Sequence, residues 1–229
     1  MSCQIVILAG GLGTRLRPMT ETVPKPLVSV AGKPFLAHQI QLLANQGFKD
    51  FLLLTGYLSG MIQDYFKDGH SCGVRIRYSV EKEILGTAGA LKNAQNDLKD
   101  TFMLLNGDTL VSMDYSGFLD VFSGNRKQGL VVVTRHPRHR QKANMLVDPR
   151  GQIVCNDKNN TSGMNGQDAG VSVFRKNVLR FIPEGRASME DAVYAPLIRN
   201  HELMAYLTEE RFYDMGSAEG LKELEAFLA

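Results

Sequence analysis

Ile5-Val6-Ile7-Leu8-Ala9-Gly10-Gly11-Leu12-Gly13-Thr14-Arg15-Leu16-Arg17-Pro18, with Val23-Pro24-Lys25-Pro26 close behind, is the stretch that decides the fold. A short apolar strand runs straight into a glycine-rich loop with two spaced cations. Glycines let backbone N–H groups approach an anion closely and permit positive φ, while Arg15 and Lys25 add side-chain charge, so the loop reads as a polyphosphate cradle. It fits neither of the better-known phosphate motifs. A dinucleotide-binding fingerprint needs a third glycine where Leu16 stands, and a P-loop needs Gly-Lys-Ser/Thr, which is missing. Pro18, Pro24 and Pro26 exclude a smooth helix after the glycines. They push Val23 and Lys25 towards extended geometry, so the segment should wrap back over its ligand.

Outward from this loop, short β-type runs alternate with amphipathic helical patterns. That alternation predicts a Rossmann-like, layered α/β fold with a mostly parallel central sheet and helices on both faces. Strands are expected near 4–9, 51–55, 74–79 and 101–106, and helices near 34–46, 58–67, 88–95 and 114–127. Ligands of such sheets bind at the carboxyl ends of the strands. The glycine loop after Ala9 and Asp108 after Leu105-Asn106 both sit at such ends.

Residues 1–229 read as a single domain of two halves, about 1–127 and about 128–229. The second half opens on a strand from Gly129 to Thr134. A basic stretch follows (Arg135, His136, Arg138, His139, Arg140, Lys142), read as a solvated loop or a subunit contact. Strands near 144–148 and 152–155 form a small β-rich region, and the polar run from Asn156 to Gln167 reads as a flexible loop. Strand 169–175, helices near 176–181 and 189–199, strand 203–207 and a helix from about 218 complete the pattern. No internal repeat is visible.

Six motifs carry a family resemblance: Gly10 to Pro18, Pro24-Lys25-Pro26-Leu27, Gly32-Lys33-Pro34, Leu85-Gly86-Thr87-Ala88-Gly89, Asn106-Gly107-Asp108 and Tyr213-Asp214-Met215-Gly216. Together they resemble the signature of the sugar-1-phosphate nucleotidylyltransferases. Within that family the spacing looks closest to the bacterial guanylyltransferases acting on D-glycero-D-manno-heptose 1-phosphate or mannose 1-phosphate. The resemblance implies attack by a sugar 1-phosphate oxygen on the α-phosphorus of a nucleoside triphosphate, GTP foremost, with Mg²⁺ as cofactor and pyrophosphate as leaving group. Charge neutralisation and in-line positioning would then carry the catalysis. The resemblance also implies a homodimer, a nucleotide-binding half over about 1–127, and a sugar-phosphate-binding half over about 128–229 whose small β-rich region binds the sugar, with the 156–167 loop over it. No appended β-helix domain is expected, since the chain ends just after the last motif.

On the same resemblance, Arg15 holds the leaving pyrophosphate, Lys25 contacts the α-phosphate or the incoming phosphate, and Asp108 and Asp214 hold the metal. A carboxylate at a strand's end is placed for a hard Mg²⁺ that bridges to phosphate oxygens. Leu8, Ala9, Gly10, Gly11, Gly13 and Thr14 would line the nucleotide, together with Glu81, Gly86 and Thr87. The Glu81 carboxylate suits N1–H and the 2-amino group of guanine, Gly86 leaves room for backbone contact, and Thr87 is placed to cap the next helix. Uracil and thymine also present an N–H, so uridylyl, thymidylyl or cytidylyl transfer stays open.

On the sugar side the candidates are Asn106, Lys158, Asp168, Gly170 and Glu190. Asp157-Lys158 resembles the family's Glu-Lys pair, though Asn159 replaces the proline that follows it there. Asp168-Ala169-Gly170 stands where the family has Asn-Ala-Gly, which exchanges an amide donor for a negative charge. Glu190 either contacts sugar hydroxyls or offsets a helix dipole. A non-catalytic nucleotide-sugar sensor is the alternative of another class. The joint presence of Arg15, Lys25, Asp108 and Asp214 argues against it.

Composition narrows the setting. A chain of 229 residues with 44% hydrophobic content can bury one substantial core. Twenty-six basic against 24 acidic residues leave a balance of +2, too small a field to recruit nucleic acid. Cys3, Cys72 and Cys155 are few, odd in number and without metal-ligand spacing, which predicts a reducing, cytoplasmic setting and no disulfide. No apolar run is long enough to span a bilayer, and the N-terminal strand lacks the cationic lead of a signal peptide.

Overall fold

A computed structural model describes residues 3–228 of the chain. Seven strands make the central sheet: β1 (Gln4–Leu8), β2 (Asp50–Thr55), β3 (Arg75–Val80), β4 (Thr101–Asn106), β5 (Gly129–Thr134), β6 (Gln167–Arg175) and β7 (Leu203–Thr208). Their order is β7-β5-β6-β4-β1-β2-β3. β1 pairs parallel with β2, β2 with β3 and β5 with β7, while β6 runs antiparallel to β5. Ile5, Val6 and Ile7 face Phe51, Leu52 and Leu53 in register, and all six are fully buried. A strand covered on both faces needs a continuous apolar run rather than an alternating one, and the sequence supplies it.

Two compact units are distinguishable. The first comprises Met1–Ile84, Leu105–Leu110 and Tyr213–Ala229; the second comprises Leu85–Leu104 and Val111–Phe212. Each draws on segments distant in sequence, so their borders differ from the boundary expected near residue 127. In the first unit, helix Phe35–Asn45 buries Phe35, Leu36, Gln39, Ile40 and Leu43, the stripe of an amphipathic helix. Each fully buried Phe or Ile side chain contributes roughly 1.5–3 kcal/mol of hydrophobic stabilisation. In the second, Phe102 and Phe174 meet at 6.2 Å, and Phe118 meets Tyr206 edge-on at 5.3 Å.

Local chemistry explains where the observed elements depart from expectation. The helix expected over 114–127 runs from Tyr115 to Ser123, capped by Asp114 Oδ1 accepting from Gly117 N–H. It stops at Gly124, where the Asn125 side-chain amide donates to the Val121 carbonyl. The helix expected over 176–181 is a 3-10 helix over Lys176–Phe181. The helix expected over 189–199 is a π-turn, Glu190–Tyr194, running into the short α-helix Ala195–Arg199. Within this segment the Ala195 N–H reaches back five residues to Glu190 C=O, and Pro196 next to it has no N–H to give. The β-rich region is a two-stranded antiparallel ribbon, Met145–Val147 with Ile153–Asn156.

Candidate active site

In the first unit the glycine loop folds into three single-turn 3-10 helices, Thr14–Leu16, Met19–Glu21 and Lys25–Leu27. Lys25 thus opens a turn instead of staying extended. Pro26, at the second position of that turn, needs no N–H there, so the turn overrides the pre-proline bias. Gly13 sits at φ +63°, and a Cβ on it would lie about 3 Å from Thr20 and Lys25. The Thr20 hydroxyl donates to the Gly13 carbonyl at 2.8 Å and closes the loop. Beneath it, Leu16, Val28, Val30 and Phe35 pack with Leu110, Met215 and Leu224 in one apolar cluster. Leu224 belongs to the last helix, Ala218–Leu228, which therefore supports the loop.

That floor positions charge. Lys25 is the one buried lysine or arginine among the described residues, and its Nζ donates to Asp108 Oδ2 at 2.6 Å. The Asp108 side chain is one-third exposed; its other oxygen accepts from the Thr109 hydroxyl at 3.2 Å. Asp108 lies just past β4, in a turn held by Gln39. One Gln39 amide nitrogen donates to both the Asn106 and the Thr109 carbonyls, at 2.9 and 2.6 Å. Gly107 is fixed in the same turn, because a Cβ there would lie 2.2 Å from the Leu8 carbonyl oxygen.

The Met215 N–H donates to the Asp108 carbonyl at 3.0 Å, which brings Asp214 close to Asp108. Asp214 Oδ1 accepts from Gly216 N–H at 2.8 Å. A Cβ on Gly216 would lie 3.1 Å from both terminal nitrogens of Arg15 and 2.7 Å from Asp214 Oδ1. Arg15, Lys25, Asp108 and Asp214 are therefore drawn together, with Arg15 open to solvent. Two carboxylates on adjoining segments are a hard-oxygen donor set that suits a Mg²⁺ completing its shell with water and phosphate. Among the described residues no cluster of three or more His, Cys, Asp or Glu is suited to a metal.

Glu81 follows β3 and turns its carboxylate over two glycines. A Cβ on Gly10 or Gly56 would come within 2.8 and 2.7 Å of Glu81 Oε1. Gly10 thus makes room for a carboxylate as well as for a ligand. Gly11 and Thr14 are exposed, and no described atom approaches within 4 Å of a Cβ built on Gly11. The Leu8 carbonyl accepts from Gly107 N–H, and Ala9 N–H donates to the Leu54 carbonyl, so these groups form a wall rather than offering hydrogen bonds.

A second cluster lies within the second unit. Lys158 Nζ forms an ion pair with Glu190 Oε1. Asp168 Oδ1 accepts from Gly170 N–H at 2.8 Å and Oδ2 from the Tyr194 hydroxyl at 3.2 Å. Desolvation pushes the Asp168 carboxyl up to about 6, and the Glu190 charge adds to the rise; the Gly170 N–H, the Lys158 ammonium and the Tyr194 hydroxyl oppose it. Burial, then the Asp168 and Glu190 charges, raises the Tyr194 hydroxyl well above its ordinary value. Two carboxylates and one lysine leave this cluster net negative, while its hydrogen-bonding groups suit sugar hydroxyls.

Thr87 does not cap its helix. Helix Gly86–Asn93 begins one residue earlier, and Thr87 Oγ1 instead accepts from Met189 N–H at 2.9 Å, tying the helix to the segment before Glu190. Gly86 faces the Ala187 carbonyl, 2.6 Å from where a Cβ would be. Three residues were missed from sequence. Gln39 pins the Asp108 turn, Asn144 Oδ1 accepts from Asp168 N–H at 2.9 Å, and Tyr194 bonds Asp168. Tyr194 stands four residues after Glu190, a same-face spacing that could have flagged it.

The family model described as Nucleotidyl transferase matches residues 4–229. A mannose-1-phosphate guanylyltransferase of Mycobacterium tuberculosis is 34% identical over 219 residues, covering 93% of this chain and 61% of that protein. A mannose-1-phosphate guanyltransferase of Saccharomyces cerevisiae is 32% identical over 218 residues, covering 92% of this chain and 60% of that one. The chain thus spans about three-fifths of the length of these curated relatives. Among solved structures, HddC from Yersinia pseudotuberculosis superposes with a TM-score of 0.86 at 26% identity, covering 99% of this chain and all of that one. The same protein complexed with GMP-PN superposes at 0.83. With its glycine loop, its strand-end aspartate and a family match from β1 to the last helix, the chain belongs to the nucleotidyl transferase family.

Proposed function

We propose that this protein transfers GMP from GTP to a manno-configured sugar 1-phosphate, giving a GDP-sugar and pyrophosphate. The observation that carries the reading is the buried Lys25 held 2.6 Å from Asp108 at the rim of the glycine loop. A lysine placed there meets an arriving phosphate as a fixed cation in a partly dry setting, where charge stabilisation is worth more than in water. Asp108 and Asp214 would hold Mg²⁺, which when bound supplies charge neutralisation at the phosphate oxygens. Arg15 would take the pyrophosphate as its negative charge grows. Glu81 would accept hydrogen bonds from the guanine edge, and the guanylyl preference is supported by the mannose-1-phosphate guanylyltransferase relatives and by the HddC complex with GMP-PN.

Lys158 would grip the sugar phosphate while Asp168, Gly170 and Glu190 read its hydroxyls. A cytoplasmic setting belongs to this reading: no described helix is long and apolar enough to cross a membrane, and Cys3, Cys72 and Cys155 are unbridged. The test is pyrophosphate release with Mg²⁺ across ATP, GTP, CTP, UTP and dTTP, each with a panel of sugar 1-phosphates. Turnover confined to GTP with mannose or manno-heptose 1-phosphate supports the proposal. Turnover that prefers UTP, dTTP or CTP overturns the guanylyl assignment, and none with any pair overturns the transferase.

A further inference from the structure

We propose that a cavity of about 520 Å³ at the end of β5 and the start of β6 binds a small organic phosphate bearing hydroxyl groups, apart from the sugar cluster. Its polar lining comes from Arg135, His136, His139, Asn165, Gln167 and Glu209, all within the second unit. The volume falls within the range of small-molecule sites. One arginine and two histidines line it, against a single acidic residue, the exposed Glu209.

The walls of this cavity are fixed. Arg135 N–H donates to the Thr208 carbonyl at 2.9 Å, and Gln167 pairs with Thr134 in the β5–β6 register. The His139 ring stacks on Phe212 at 4.1 Å with planes 8° apart. Asn165 has its side-chain oxygen and nitrogen bound to the Val147 backbone at 2.9 and 2.8 Å. Arg135 Nε, a donor, and Gln167 Oε1, an acceptor, are buried atoms with no hydrogen-bond partner among the described residues. Buried polar groups are rarely left unpaired, so each calls for a partner. A phosphate oxygen suits the guanidinium, and a hydroxyl suits the amide oxygen.

The site is distinct from the sugar cluster for a geometric reason. Gln167 and Asp168 are consecutive on β6, and consecutive strand residues point to opposite faces. Asp168 bonds Tyr194 on one face while Gln167 lines the cavity on the other. The proposal therefore stands whether or not the guanylyl reading does.

Mannose 6-phosphate is a suitable probe, since it carries no 1-phosphate. Five histidines give five imidazole signals, and His136→Gln and His139→Gln assign the two that matter. Titration followed by NMR should shift the His136 and His139 signals, and Arg135→Gln should weaken binding at least tenfold. Gln167→Leu, which keeps bulk but removes the acceptor, should weaken it as well and serves should Arg135→Gln fail to fold. Lys158→Ala should leave the titration unchanged. No shift up to about 10 mM, an affinity unchanged in whichever of the two cavity variants folds, loss of binding in Lys158→Ala, or equal affinity for inorganic phosphate would each overturn the proposal.

Discussion

The two clusters differ in their charge and in what surrounds them. At the glycine loop, Arg15 and Lys25 balance Asp108 and Asp214, and Arg15 is open to water. In the second unit, Asp168 and Glu190 outnumber Lys158, and the Asp168 carboxyl is pushed up to about 6. A balanced set of movable charges suits a ligand whose own charge changes during reaction. A carboxylate-rich, partly desolvated set suits the pattern of hydroxyls on a neutral ring, with one cation reserved for an attached phosphate. Under the proposed function the first cluster would move charge and the second would sort shapes, and the two should answer mutation in different kinetic constants.

Asp108→Asn puts that division under the greatest stress. It removes a carboxylate charge but not its volume, so turnover should fall about a thousandfold, while loss of the counter-charge of buried Lys25 lowers the melting temperature without unfolding the chain. Pyrophosphate release together with circular dichroism checks this, and a residual rate within tenfold of the parent would defeat the assignment of Asp108. Lys158→Ala should have a smaller and differently shaped effect: KM for the sugar 1-phosphate up about tenfold, with KM for the nucleotide unchanged. A change confined to the nucleotide KM would erase the distinction between the clusters.

The smallest effect belongs to Asp168→Asn, and it concerns stability. The folded carboxyl titrates near 6, above its ordinary 3.8, so the folded chain keeps a proton that the unfolded chain has already lost. Stability should therefore decline as pH rises from about 4 to about 6 and level off above that. The asparagine variant should lack this decline, a difference on the order of 1–3 kcal/mol at neutral pH in denaturant titrations. Parallel curves for the two proteins would mean that Asp168 titrates normally.

Much of this was legible in the sequence because its causes are local. The β1 run, the loop glycines and Asp108 after an apolar strand are fixed by neighbours within a few residues. The sugar cluster was legible only in part. Lys158, Asp168 and Glu190 fell at motif positions, but the Asp168–Tyr194 bond joins residues 26 apart in sequence, and only the four-residue spacing from Glu190 points to Tyr194. Pro196 marks a break in the helical ladder that the sequence shows, whereas the role of Gln39 has no such mark. A buried glutamine on an amphipathic helix looks like any polar residue until the turn it pins is in place.

The apolar floor beneath the glycine loop has a temporal consequence. The ribosome makes Leu16, Val28 and Phe35 early, but their partners Met215 and Leu224 are made some two hundred residues later. Translation proceeds from the amino terminus, and the loop's support is incomplete until the Ala218–Leu228 helix emerges. A nascent chain can lay down β1 long before that, yet the apolar floor of its glycine loop is complete only once Leu224 has been made. Folding order thus delays the settled shape of the glycine loop until a helix some two hundred residues further along the chain has been made.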